Sequence, residues 1–280
     1  MMHYADPAFN KDFSSHYTLL FQLEEQQYTY AIYDKRKGAL QMLKTVGFNT
    51  SNHSDGANRL KISLTSEDIL QAPFNEVRVS VVDAPFTLVP RVLFEDGKAA
   101  DYLRLSAPVG PTDQVMVNQV RGVFIRTVFS VPDWLTAHVQ DVFQSPKYYH
   151  AATAILEAAT RNKDQFAEQQ LILDIKPGVV FILYYEKKEF MYLNMFRFVN
   201  KDDFLYYVLL IAEEFGIDRT TAMLTLSGEI IPDAQLYDEL WKFFSHINFL
   251  PANEHIQLPE ALQQKPMHMF NTLLSLDVCE

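Results

Sequence analysis

The chain of 280 residues has a single cysteine, Cys279, next to its last residue. One cysteine excludes both a disulfide framework and a thiolate metal cluster within the chain. Chain ends are where order is commonly lost, so Cys279 is expected to be mobile and a catalytic thiol is not expected there. Basic residues are also scarce: 24 Lys and Arg face 35 Asp and Glu, a net charge of -11. Affinity for nucleic acid comes largely from Lys and Arg on phosphates, and no dense basic stripe offsets this total, so a nucleic-acid partner is not expected. Long apolar runs are missing too. The greasiest, Phe204–Ala212, is far short of the roughly 20 residues needed to span a bilayer. Met1–Asp12 carries Asp6, Pro7 and Asp12 and lacks the apolar core of a secretory signal. Together these readings predict a cytoplasmic protein. Gly-x-Ser-x-Gly, Walker A, His-Glu-x-x-His and Gly-x-Gly-x-x-Gly are all absent. His53 and Asp55 share a polar loop, but two ligands do not define a metal site, and none is expected.

What remains is the composition of an ordinary globular protein, 48% hydrophobic and 21% charged, in a chain long enough for two domains. Three short aromatic and aliphatic runs, Tyr17–Leu23, Tyr28–Tyr33 and Ala39–Val46, alternate with polar turns and predict an antiparallel meander. About 150 residues later the pattern returns as Leu171–Ile175, Val179–Tyr185 and Phe190–Phe198, a candidate internal duplication. The second copy continues as a helix over Phe204–Phe215, capped by Asn200, Asp202 or Asp203, a strand at Ala222–Leu226, a helix over Gln235–Phe244 and a strand at Ile247–Leu250. The order is βββαβαβ. The first copy is looser. Asn49–Asn58 reads as a polar loop, Thr65–Leu70 as a short helix and Glu76–Val82 as a strand. Pro85, Pro90 and Pro108 punctuate an insertion over about 84–130 by comparison of the two copies. A helix opens at Pro132, Lys147–His150 is extended, and Ala151–Thr160 is an alanine-rich helix. Tyr148, Tyr149 and His150 read as packed core. The lobes are therefore expected at 1–162 and 169–280.

Val131–Leu135 through Phe143, then Lys147–His150, Ala151–Ala159 and Leu171–Ile175, resemble the join between lobes in PilM- and FtsA-like members of the actin-like ATPase superfamily. With Pro85–Pro90, Leu93-Phe94, Asp203-Phe204, Tyr206-Tyr207 and Leu224–Glu229, the chain from about Tyr17 to Leu250 resembles an uncharacterised bacterial family of that fold with no assigned activity. The resemblance implies an α/β fold of duplicated ribonuclease H-like βββαβαβ units forming two lobes. It also implies that ATP and magnesium, where bound, lie between the lobes, with a hairpin loop from each on the phosphates and a glycine-rich strand exit on the adenosine.

Those loops are eroded here. Leu23–Gln27 has no glycine, and Glu24 and Glu25 repel phosphate unless magnesium bridges them; it reads as an exposed turn. Asp174–Gly178 keeps Asp174 at the family's aspartate position. Lys176 stands where glycine is usual and offers phosphate a point charge, while Pro177 removes a backbone donor. Ser227, Gly228 and Glu229 form the candidate adenosine turn, with one glycine where two are common. The resulting expectation is a scaffold or adaptor that binds nucleotide weakly or not at all, with a protein partner or self-association. Asp174, Lys176, Ser227, Gly228 and Glu229 are its candidate nucleotide cleft. The rivals are an active ATPase or kinase-like enzyme centred on Asp174 and a self-assembling actin-like protein.

Overall fold

In the computed structural model, which describes residues 2–48, 53–251 and 256–279, a short β1 (His3–Ala5) precedes the first meander. The meander is β2 (Thr18–Leu23), β3 (Gln27–Asp34) and β4 (Ala39–Gly47). Helix α1 (His53–Ser66) leads to β5 (Glu76–Val81). The insertion follows as β6 (Phe86–Pro90), α2 (Ala99–Arg104), β7 (Asp113–Val120) and β8 (Ile125–Pro132). Helix α3 (Asp133–Val142), β9 (Lys147–His150) and α4 (Ala151–Asn162) complete the first half. The second half runs β10 (Gln169–Lys176), β11 (Val179–Glu186), β12 (Glu189–Arg197), α5 (Lys201–Glu214), β13 (Met223–Gly228), α6 (Gln235–Trp241) and β14 (His246–Phe249). Two short helices close it, α7 (Glu260–Gln263) and α8 (Asn271–Leu274). No helix among the described residues is long and apolar enough to cross a membrane.

The duplication is explicit in the strand order. The first sheet runs β1-β4-β3-β2-β5-β9 and the second β12-β11-β10-β13-β14. In both, an antiparallel meander continues into two parallel strands, beginning at the meander's first strand. Each copy also has a register shift near the end of its second hairpin, at Ile32/Tyr33 and at Tyr184/Tyr185. A repeated β-bulge twists both sheets at the same place. β2 and β10 lie inside their sheets and are buried along nearly their whole length, so their sequences show apolar runs rather than alternation.

The insertion folds as its own three-stranded sheet, β6-β8-β7, around Val89, Leu103 and Val128. Asn200 caps α5 by accepting from the backbone N–H of Asp202 and Asp203, which satisfies two of the helix's orphan donors.

Three sequence expectations change. The polar loop at Asn49–Asn58 gives way to α1 from residue 53 onward, held down by Leu60 and Leu64 one turn apart. The side chains of His53 and Asp55 lie outside the described residues. Cys279 is not exposed at a loose end but 1% accessible. Arg78 holds that end in place by donating from Nη1 to the carbonyls of Leu276, Asp277 and Cys279, at 2.6, 2.9 and 2.6 Å. The stretch 256–279, assigned by sequence to the second lobe, packs largely on the first. Met267, Phe270, Leu273 and Leu274 share a core with Leu20, Ala31, Tyr33 and Leu43.

The junction of the two hairpins as candidate functional site

The β2–β3 turn of the first lobe and the β10–β11 turn of the second meet across the molecule. Glu24, expected on an exposed turn, is 6% accessible. Gln22 Nε2 donates to its Oε1 and Gln27 Nε2 to its Oε2, both at 2.6 Å. Gln27 Nε2 also donates to Glu229 Oε1 of the second lobe at 2.6 Å. One amide thus ties the first lobe's hairpin to the strand exit of the second. Burial pushes the Glu24 carboxyl up to about 6, and Glu229 adds to the rise, while the charge of Lys176 and the two amide donors pull the other way.

Asp174 and Lys176 lie two residues apart on β10, so their side chains leave the same face of the sheet. They are 2% and 1% accessible, and Lys176 Nζ sits 3.2 Å from Asp174 Oδ1. The contact is an ion pair without hydrogen-bond alignment, because neither atom has a hydrogen-bond partner. Asp174 Oδ2 accepts from Thr272 Oγ1 at 2.9 Å, which brings the C-terminal stretch into the site. Lys176 therefore points inward, its ammonium held by a carboxylate of its own strand.

Ser227 and Gly228 end β13. Ser227 Oγ donates to the His268 carbonyl at 3.1 Å, and His268 Nε2 donates to the Ile230 carbonyl at 2.7 Å. Burial lowers the His268 imidazole, favouring its neutral form. Gly228 has φ +80°, and a Cβ there would lie 2.0 Å from the Ile175 carbonyl oxygen. The next residue, Glu229, donates its N–H to that same oxygen at 2.7 Å. The close passage of β13 over β10 accounts for this glycine without any ligand.

The five residues singled out by sequence thus converge on one place. Sequence reasoning missed Gln22, Gln27, Thr272 and His268. The first two are ordinary polar residues flanking a turn, and the last two come from a stretch with no legible periodicity. Thr272 meets a partner 98 residues away and Gln27 one 202 residues away, and no local pattern encodes either contact.

A second tie crosses the lobes nearby. Arg197 of β12 reaches Asp83 Oδ1 at 3.5 Å and Glu25 Oε2 at 3.9 Å, and the Glu25 N–H donates to Asp83 Oδ2 at 2.9 Å. No group of three or more His, Cys, Asp or Glu among the described residues is arranged to hold a metal ion.

The fold recurs in solved structures. A Bacteroides thetaiotaomicron VPI-5482 protein described as having an actin-like ATPase fold and unknown function superposes with a TM-score of 0.79 at 18% identity. That match covers 94% of this chain and 98% of the other. A chain of a PilM–PilN type IV pilus biogenesis complex gives 0.56 at 11% identity, covering 93% and 97%. No curated protein matches the sequence. At these identities the likeness establishes the fold, an actin-like ATPase fold. A family model described as "Protein of unknown function (DUF3822)" matches residues 6–247. That span takes in nearly all of both sheets, and the chain belongs to the DUF3822 family.

Proposed function

We propose that this protein is a two-lobed binding scaffold whose lobes are held together by its own side chains where other actin-like proteins hold a nucleotide. The observation that carries the proposal is Lys176. Its ammonium is buried against Asp174, beside Glu24 and the Gln27–Glu229 tie, so a protein cation occupies the meeting point of the two hairpins. A triphosphate arriving there faces Asp174, Glu24 and Glu229 with one lysine already paired. Like charges at such distances repel by several kcal/mol at an effective dielectric constant of about 20. The β10–β11 turn adds Pro177, which has no N–H to offer a phosphate oxygen.

On this reading Asp174, Lys176, Ser227, Gly228 and Glu229 are structural ties first, and any contact with ATP and magnesium is weak. The protein acts in the cytoplasm through a protein partner or a second copy of itself. Calorimetric titration with ATP and magnesium, alongside a phosphate-release assay, tests the proposal. It expects no saturable heat and no release, equally for the wild type and Asp174→Ala. The rival ATP-dependent enzyme draws its support from Asp174 at the end of β10. It requires magnesium-dependent turnover that collapses in Asp174→Ala.

A further inference from the structure

A cavity of about 530 Å³ opens in the first lobe beside the hairpin junction. It lies over the ends of β2 and β5, with Leu23, Val81, Leu60 and Leu135 on its walls and Trp134 among its lining residues. The volume lies within the roughly 300–1,000 Å³ typical of small-molecule sites, and the mostly apolar walls suit such a site. None of Asp174, Lys176, Ser227, Gly228 and Glu229 lines it, and it shares only Glu24 with the groups a triphosphate at the junction would face.

One part of the cavity differs from the rest. Glu24, Glu25 and Asp83 lie there with a single cation, Arg197, contributed by the second lobe. Glu25 and Asp83 share that one guanidinium, while Glu24 is held by the amides of Gln22 and Gln27 and the charge of Lys176. That guanidinium is anchored by donating from Nη2 to the Asp83 carbonyl at 3.1 Å, but its side chain is 57% accessible and it makes only long contacts with the carboxylates, 3.5 Å to Asp83 and 3.9 Å to Glu25. Burial pushes the Asp83 carboxyl up even with Arg197 beside it, which marks a negative charge only partly compensated. An apolar chamber with surplus negative charge at one side favours a ligand that is apolar over most of its length and positive at one end. An anionic ligand meets repulsion from Glu25 and Asp83, and a neutral one leaves the surplus uncompensated.

We propose that this cavity binds a small apolar molecule carrying one positive charge, with its ammonium at Glu25 and Asp83 and its apolar body against Val81, Leu60 and Leu135. Arg197 then acts as an internal competitor. The incoming cation takes over its carboxylates and loosens the bridge it makes between the lobes.

The chain has two tryptophans, so Trp241→Phe leaves Trp134 as the only indole reporter, inside the cavity. On that background, decylamine, decanol and decanoate are titrated while Trp134 emission is followed. The proposal expects a saturable change with decylamine at least ten-fold tighter than with decanoate. Glu25→Gln with Asp83→Asn weakens decylamine about ten-fold and removes its advantage, and Arg197→Gln tightens it several-fold. Arg197 and Glu25 are both exposed, so Arg197→Gln and Glu25→Gln alone keep the test valid if the double variant misfolds. Equal binding of the three probes overturns the proposal, as does weaker amine binding in Arg197→Gln. A response confined to a lysine-bearing apolar peptide overturns it in favour of a polypeptide partner.

Discussion

Lys176 carries its ammonium into the buried junction between the two hairpins. Desolvating an ammonium costs several kcal/mol, and a buried pair recovers that cost only while both partners remain. Lys176→Met is therefore expected to destabilise the protein by about 3–5 kcal/mol by leaving Asp174 buried and unpaired. Adding Asp174→Asn should restore part of the loss, and denaturant midpoints of the single and double variants measure the coupling. Two nearby groups set opposite pH dependences. The Glu24 carboxyl is raised from 4.5 to about 6, so its contribution is full below pH 4.5 and is lost as pH rises through 6, a change of about 2 kcal/mol. His150 goes the other way. Its imidazole is buried, Nδ1 accepts the Ala152 N–H at 3.1 Å, and Nε2 lies 2.9 Å from the Ala84 carbonyl as donor. Burial lowers it from 6.5 to about 4, so its contribution is present above pH 6.5 and is lost as pH falls through 4, a change of about 3 kcal/mol. The histidine effect is the larger, and these two groups together weaken the fold on acidification. His150→Asn, which keeps a capping acceptor for α4, should flatten that acid loss. Glu24→Gln should steepen it, because the opposing contribution is gone. Gln22 Oε1 has no partner and is free to turn and accept from the new amide. Urea midpoints at pH 8, 6 and 4.5 read both variants.

Among the elements, β13 is the most tightly constrained at the site. Gly228→Ala places a methyl group 2.0 Å from the Ile175 carbonyl oxygen and requires φ +80° of a residue with a Cβ. The expected cost is about 2–4 kcal/mol, with faster hydrogen exchange along β10 and β13 than elsewhere in the second sheet as its signature. The C-terminal stretch carries a comparable load on the first lobe. Leu273 is 1% accessible and belongs to the core shared with Leu20 and Leu43, so Leu273→Ala should cost about 2–5 kcal/mol in thermal or denaturant unfolding. How far each element was legible follows its physics. The meanders were clear because buried central strands give unbroken apolar runs between charged turns. The helix α5 was clear because Asn200, Asp202 and Asp203 all offer a cap ahead of its apolar run, and the structure uses Asn200. The helix α1 was hidden: Gly56 and Asn58 weaken its propensity, and Leu60 and Leu64 are its buried apolar anchors. The stretch 256–279 was silent because its elements are single turns, too short for a periodicity to emerge.

At the scale of the whole molecule, the duplicated sheets explain why a site exists at all. Repeating one unit places two equivalent hairpins face to face, and their turns meet whatever residues they carry. The position of Asp174 could be read from sequence because it follows from the strand and turn around it. The actual chemistry could not, because Gln27–Glu229, Thr272–Asp174 and Arg197–Asp83 join residues on different elements across the junction. On the proposed reading, those ties hold the two lobes without help from a bound nucleotide. Unfolding temperature measured against ATP and ADP, with and without magnesium, tests it most directly. A ligand at 100 times its dissociation constant adds about 2.7 kcal/mol and a few degrees to a chain of this size. No rise is expected at millimolar nucleotide. A magnesium-dependent rise of several degrees that Asp174→Ala abolishes would contradict that reading.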